Sequence, residues 1–231
     1  MKILAIIPAR AGSKRLPNKN VKPLLGKPLI EWSIDAALGC QDITKVMVST
    51  DSEQIGSIAR SAGAEVPFVR PPELSTDTSS SGDVIKHAID FYHQKDEVFD
   101  LVMLLQPTSP LRTQQHIQEA IQLFYEKSAD AVISVCPVEH SPLWSNTIAD
   151  DLSMDGFLRK ELKNSRSQDL PQYYRLNGAI YLAKIDRFMA ETGFFLSKNI
   201  YAYEMQTKVS VDIDEEVDFL LAETILKNKG F

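Results

Sequence analysis

Acidic residues are missing from the opening of this chain: no Asp or Glu precedes Glu31. Over the same stretch Arg10, Lys14, Arg15, Lys19, Lys22 and Lys27 carry only positive charge. In a 231-residue protein of formal net charge −6, that local imbalance reads as a solvated basic loop or as a site for an anion. Cysteine is nearly absent. Cys40 and Cys136 lie far apart without C-x-x-C spacing, which excludes a disulfide framework and a thiolate metal centre and leaves two small buried residues. His87, His93, His116 and His140 show no ligand spacing, so no zinc site is expected. No apolar run is long enough to span a bilayer, and residues 3–7 are too short for a signal-peptide core. A cytoplasmic protein without a membrane partner is expected. A sequence pI near 5.3 leaves too little surplus Lys and Arg for a nucleic-acid partner. The common phosphate motifs G-x-x-x-x-G-K-[ST] and G-x-G-x-x-G are also missing.

What is present has an α/β rhythm. Residues 3–7 are apolar and β-branched, as a buried strand requires, and Pro8 stops the run. A helix is predicted from about Pro28, with Ile30, Ile34, Ala37 and Leu38 at helical spacing. Strands are predicted at 45–50, 65–69, 100–105, 129–135 and 177–182. Helices are predicted at about 51–62, 82–93, from Thr113 onward, and after Asp214 to about 227. Pro67 marks the 65–69 strand as one not fully hydrogen-bonded. The alternation predicts a largely parallel twisted sheet with helices on both faces, whose ligand lies at the carboxyl ends of the strands. The loops 8–22, 70–81 and 106–112 fall there. At 231 residues and 44% apolar content one domain is expected over 1–231. Residues 137–175 break the rhythm and read as an excursion that packs on something else.

Several residues suit nucleotide chemistry on their own terms. Arg10, Lys14 and Lys19 can offset a triphosphate, Ser13 can donate to it, and Gly12 allows close backbone approach. The hydroxyls of Ser79, Ser80 and Ser81 can bond a pyrimidine edge or cap the next helix. Arg15, Lys22 and Lys27 read as surface charge, and Thr108 and Ser109 as turn hydroxyls bonding their own backbone. Asp212 and Asp214, at i and i+2 on an extended segment, can reach one hard cation or can favour a helix N-terminus.

A resemblance decides several of these readings. Residues 8–20, PARAGSKRLPNKN, closely resemble the opening motif of the cytidylyltransferases that activate sialic acids as CMP-sugars. That pattern, roughly A-R-x-x-S-K-x-x-x-x-K-N, is matched by Ala9, Arg10, Ser13, Lys14, Lys19 and Asn20. Four further blocks follow in order: R-P-P-E-L-S-T-D-T-S-S-S at 70–81, L-Q-P-T-S-P-L-R at 105–112, the segment 166–181 ending in N-G-A-I-Y, and S-V-D-I-D at 210–214. The resemblance implies a Rossmann-like three-layer nucleotidyltransferase fold and an enzyme that joins CTP to a nine-carbon α-keto acid sugar. It implies that Arg10, Ser13, Lys14, Lys19 and Asn20 hold the nucleotide, with Arg70 and Ser81 on the cytosine. Gln106, Arg166, Gln168, Tyr174, Arg175 and Asn177 would hold the acceptor. Asp212 and Asp214 would hold Mg²⁺, and Arg10, Lys19 and the two aspartates would carry catalysis. Residues 137–175 would form the arm of a homodimer. Two departures, Ser167 where an Arg is usual and Trp144 where some relatives carry a basic residue, leave the acceptor open between N-acetylneuraminic, legionaminic and pseudaminic acids. The eight-carbon Kdo enzymes fit the blocks at 106–112 and 177–181 less well. A nucleotide-binding protein without catalysis is the reading from another class; the presence of both aspartates argues against it.

Overall fold

The computed structural model describes residues 1–162 and 164–228, without the side chain of Ser167, so that departure lies outside the described residues. Strand β1 (Ile3–Pro8) is the spine. Its side chains alternate between two cores, as a period of two demands. Ile3, Ala5 and Ile7 face one core, shared with helices α1 (Leu29–Leu38), α2 (Glu53–Ser61), α4 (Gln114–Glu126) and α6 (Glu216–Asn228). Leu4 and Ile6 face the other, shared with α3 (Ser81–His93) and α5 (Ile185–Glu191). The result is the expected three-layer α/β sandwich.

The remaining strands are β2 (Pro23–Leu24), β3 (Lys27–Pro28), β4 (Lys45–Ser49), β5 (Leu101–Leu104), β6 (Ala131–Pro137), β7 (Tyr174–Lys184) and β8 (Ile200–Glu204). The main sheet has six strands in the order β4-β1-β5-β7-β6-β8. β1 pairs in parallel with β4 on one side and β5 on the other. The chain therefore leaves β1 in one direction and returns on both, the arrangement that opens a crevice at the carboxyl edge. β7 runs antiparallel to both β5 and β6.

Three features depart from the sequence reading. Residues 65–69 form only isolated bridges, Met47 to Glu65 and Thr50 to Val69, because Pro67 has no N–H to donate. The short β2–β3 hairpin, α5 and the edge strand β8 were not anticipated. The segment 210–215 is extended in its alternation but not paired as a strand. Among the described residues, no helix is long and apolar enough to cross a membrane.

Candidate active site

The loops after β1 and β5 and the segment entering α3 enclose a cleft of about 620 Å³. Arg10, Ser13, Lys14, Arg15, Lys19, Asn20, Arg70, Ser79, Ser81, Gln106 and Asp214 all line it. The basic loop is held from behind by polar bonds. Asn20 is buried, and its amide donates to the Arg10 carbonyl at 3.1 Å. Lys19, 9% exposed, donates to the Ile213 carbonyl at 2.5 Å and to Asp214 Oδ1 at 3.2 Å. The Ala11 N–H reaches Asp51 Oδ1 at 2.9 Å. Gly12 lies outside the cleft lining, and a Cβ there would meet no protein atom within 4 Å.

Arg70 forms part of the wall and is 4% exposed. Its Nη2 stands 4.0 Å from Asp51, and neither Nε nor Nη2 makes a hydrogen bond. Burial holds its proton affinity below the ordinary arginine range. A buried guanidinium on a lining residue, with two nitrogens unpartnered in the fold, is suited to a ligand's acceptor oxygens.

Asp77 also lines the cleft. One of its oxygens lies 2.8 Å from Arg10 Nη1, and the other pairs with Lys14. The hydrogen bond from Lys14, followed by that from Arg10, holds its carboxyl below the usual range. Residue order shows no sign of this contact beyond an acid set among hydroxyls. The two serines assigned to the cleft from this loop behave differently. The Ser79 hydroxyl donates to the Glu73 carbonyl at 2.9 Å and accepts from the Thr76 N–H at 3.1 Å, which shapes the loop. Ser80 caps α3 by accepting from Asp83 N–H at 3.1 Å, and Ser81 is left lining the cleft.

The acid segment borders the cleft. Ile213 is fully buried while Asp212 and Asp214 on either side turn away from the core, Asp212 with its carboxyl end sunk among Thr108, Lys19 and Asp214, so the i, i+2 pair does share a face. Asp214 takes Lys19 on one oxygen and Arg15 Nη1, at 3.0 Å, on the other. Arg15, read as surface charge, is therefore a cleft residue. Lys22 and Lys27 fit their reading, pairing at the surface with Glu216 and Asp35. Asp212 accepts from Thr108 and lies beside Asp214; burial first, then that like charge, push its carboxyl above the usual range. Thr108, read as a turn hydroxyl, is thus a site residue; its hydroxyl also stands 3.4 Å from Gln106 Oε1, so its single proton is shared between that oxygen and Asp212. Among the described residues, no group of three or more His, Cys, Asp and Glu could hold a metal. Two carboxylates with substrate phosphates are nevertheless a sufficient donor set for Mg²⁺.

A bulge brings the acid segment and Gln106 together. Between the pairs Ile133–Tyr181 and Val135–Leu176, β7 passes more residues than β6. Ser134 fills the broken ladder, accepting from Ile180 N–H at 2.8 Å and donating to Asn177 Oδ1 at 2.6 Å. Gly178 sits in the bulge at φ +73°, and a Cβ there would stand 3.0 Å from Gln106 Oε1 and 3.5 Å from Asp212 Oδ2.

The acceptor assignments divide. Gln106 lines the cleft. Asn177 does not: it is 1% exposed, and its amide nitrogen donates to Ser210 Oγ at 3.0 Å. This corrects its reading as a sugar contact, since a saturated buried amide has no group left for a ligand. Arg175 is engaged with Glu139 through two nitrogens, at 2.9 and 3.3 Å, outside the cleft lining. Tyr174, Arg166 and Gln168 also lie outside that lining, Arg166 just before and Gln168 within the short turn Ser167–Asp169 of the excursion.

The model of a family described as cytidylyltransferase matches residues 4–229. The chain belongs to that family. It is 40% identical to CMP-N,N'-diacetyllegionaminic acid synthase of Legionella pneumophila, over 98% of this chain and 97% of the relative. N-acylneuraminate cytidylyltransferase of Escherichia coli is 41% identical over 99% of this chain, which spans only 53% of that longer protein. Pseudaminic acid cytidylyltransferase of Campylobacter jejuni is 33% identical over 98% and 97%. In fold, this cytidylyltransferase is similar to the structure of CMP:2-keto-3-deoxy-manno-octonic acid synthetase complexed with CTP. The TM-score is 0.71 at 18% identity, covering 99% of this chain and 100% of that one.

Proposed function

We propose that the cleft binds CTP and transfers CMP to the anomeric hydroxyl of a nine-carbon α-keto acid sugar. The observation that carries this is the convergence of Arg10, Lys14, Arg15, Lys19 and Arg70 on one cavity that borders the Asp212–Asp214 pair. The sugar oxygen forms a bond to the α-phosphorus while the bond from that phosphorus to the bridging oxygen breaks. Pyrophosphate leaves with the electron pair, and the hydroxyl proton is lost. Arg10, Lys14 and Lys19 offset the charge on the phosphates, and Arg70 takes an acceptor oxygen of the nucleotide. Asp212 and Asp214 would hold Mg²⁺, which when bound offsets triphosphate charge. No enzyme nucleophile is required, because holding the reactants in line supplies much of the acceleration.

The acceptor is N-acetylneuraminic acid or a close relative. Legionaminic or pseudaminic acid is the second reading, favoured because relatives acting on those sugars match along their whole length. Incubation with CTP, Mg²⁺ and each of N-acetylneuraminic, legionaminic, pseudaminic and Kdo acids, followed by mass spectrometry, should reveal one CMP-sugar. CTP binding with no product from any of the four would favour the non-catalytic reading.

Residues 137–175 are assigned to a dimerisation arm on the single 1–231 domain. Ile148, Leu152 and Met154 expose apolar side chains along it, and Tyr174 and Leu176 continue them onto β7. In a homodimer, Arg166 and Gln168 would complete the partner's site, together with Tyr174 once its hydroxyl gives up Glu204. Sedimentation at micromolar concentration is expected to give a dimer, and a monomer alone would remove this assignment. We propose a cytoplasmic enzyme, in keeping with a reaction that consumes CTP.

Asp77 stands where phosphate would meet Arg10 and Lys14 and must yield to it. Asp77→Asn is therefore expected to tighten CTP binding by about two- to fivefold, the scale of an exposed ion pair. Calorimetric titration checks this, and weaker binding would mean that Asp77 assists the nucleotide.

A further inference from the structure

Arg112 is buried behind the cleft wall, 1% exposed, with no carboxylate in ion-pair contact among the described residues. Its Nη2 donates to Ser33 Oγ on α1 at 2.6 Å and to the Gln106 carbonyl at 3.4 Å. Ser33 in turn donates to the same carbonyl at 3.3 Å. Arg112 Nε and Nη1 make no hydrogen bond. Burial pushes its proton affinity down to about 9. An interior cation so weakly compensated carries a large desolvation cost, and an alkyl chain would fill the space without it.

The loop it holds explains its place. Residues 106–112 close on themselves through Ser109 N–H to the Gln106 carbonyl at 3.3 Å and Arg112 N–H to the Ser109 carbonyl at 3.2 Å. At its far side the loop grips the acid segment: Ile213 N–H donates to the Thr108 carbonyl at 2.8 Å, and the Thr108 side chain bonds Asp212. One end of this strap is thus fixed to α1, and the other sets the height of Asp212 and Asp214.

We propose that Arg112 is a positioning residue for the transfer reaction, fixing the Gln106 wall and, through Thr108, the Asp212–Asp214 segment against the nucleotide cleft. The inference rests on the proposed cytidylyl transfer. It touches neither reactant directly. Of the nucleotide residues, Arg10, Lys14 and Arg70 make no hydrogen bond or ion pair with the 106–112 loop among the described residues, and only Lys19 touches the acid segment. Loss of Arg112 therefore acts mainly on the chemical step and largely spares CTP affinity.

The test compares wild type with Arg112→Met, Arg112→Lys and Ser33→Ala, with kcat expressed per folded molecule and CTP affinity measured by titration. Arg112→Met is expected to lose about 10- to 100-fold in kcat, the scale of a displacement near 1 Å, with CTP affinity within about twofold. Arg112→Lys should recover part of that loss. Ser33→Ala, which suits a helix and removes the best acceptor of the guanidinium, should lose less in the same direction, and it decides the matter if Arg112→Met does not fold. Unchanged kcat in both Arg112→Met and Ser33→Ala would overturn the proposal. So would kcat and CTP affinity falling together, which marks a general structural loss. A wild type that binds CTP but forms no product with any acceptor fails the functional reading instead.

Discussion

Asp212→Ala should lower kcat by about 10²- to 10³-fold, the scale expected when one preorganised electrostatic group is removed. The side chain is placed for it: it shares a face with Asp214, accepts from Thr108, and has no cation in ion-pair contact among the described residues. Burial and the neighbouring like charge oppose its ionisation, a cost that a bound cation would relieve. The fold should not depend on it. Ile213, fully buried, anchors the segment, and its N–H bonds the Thr108 carbonyl. CTP titration without metal should stay within about threefold of wild type, because the basic loop is untouched. Steady-state kinetics beside that titration and a thermal melt make the check. Normal turnover would remove Asp212 from the metal assignment.

Arg70→Met should raise the KM for CTP by about 10- to 100-fold, the loss of one or two hydrogen bonds to a charged donor. Methionine keeps the packed stem and deletes only the guanidinium. The thermal midpoint should hold or rise, since two of the Arg70 nitrogens have no partner in the fold and Asp51 keeps its bond to Ala11 N–H. A lower midpoint with unchanged KM would make Arg70 a structural cation.

Much of this site could be read from residue order because its parts are local. The run of β1, the acid-free loop behind it and the Asp-x-Asp spacing each lie within a few residues. What escaped the sequence depends on distant pairing. Asp77 meets Arg10 and Lys14 across more than sixty residues, and Arg15 meets Asp214 across almost the whole chain. Nothing in the residues around Arg112 signals that the fold closes over it. Asn177 sits in a motif but turns inward, because the β7 bulge needs its amide to join Ser134 to Ser210. Helix α5 spans only seven residues, too few for periodicity to show, and β8 is a short edge strand with one buried side chain.

The central claim is that pyrophosphate leaves CTP only when a sugar hydroxyl attacks. The most direct measurement is pyrophosphate release by the wild type with CTP and Mg²⁺, with and without each of the four acceptors. Release that requires one nonulosonic acid, with one CMP-sugar formed per pyrophosphate, is the result the cleft predicts. Equal release without any acceptor would make the protein a nucleotide hydrolase, and no release at all from protein that binds CTP would contradict transfer.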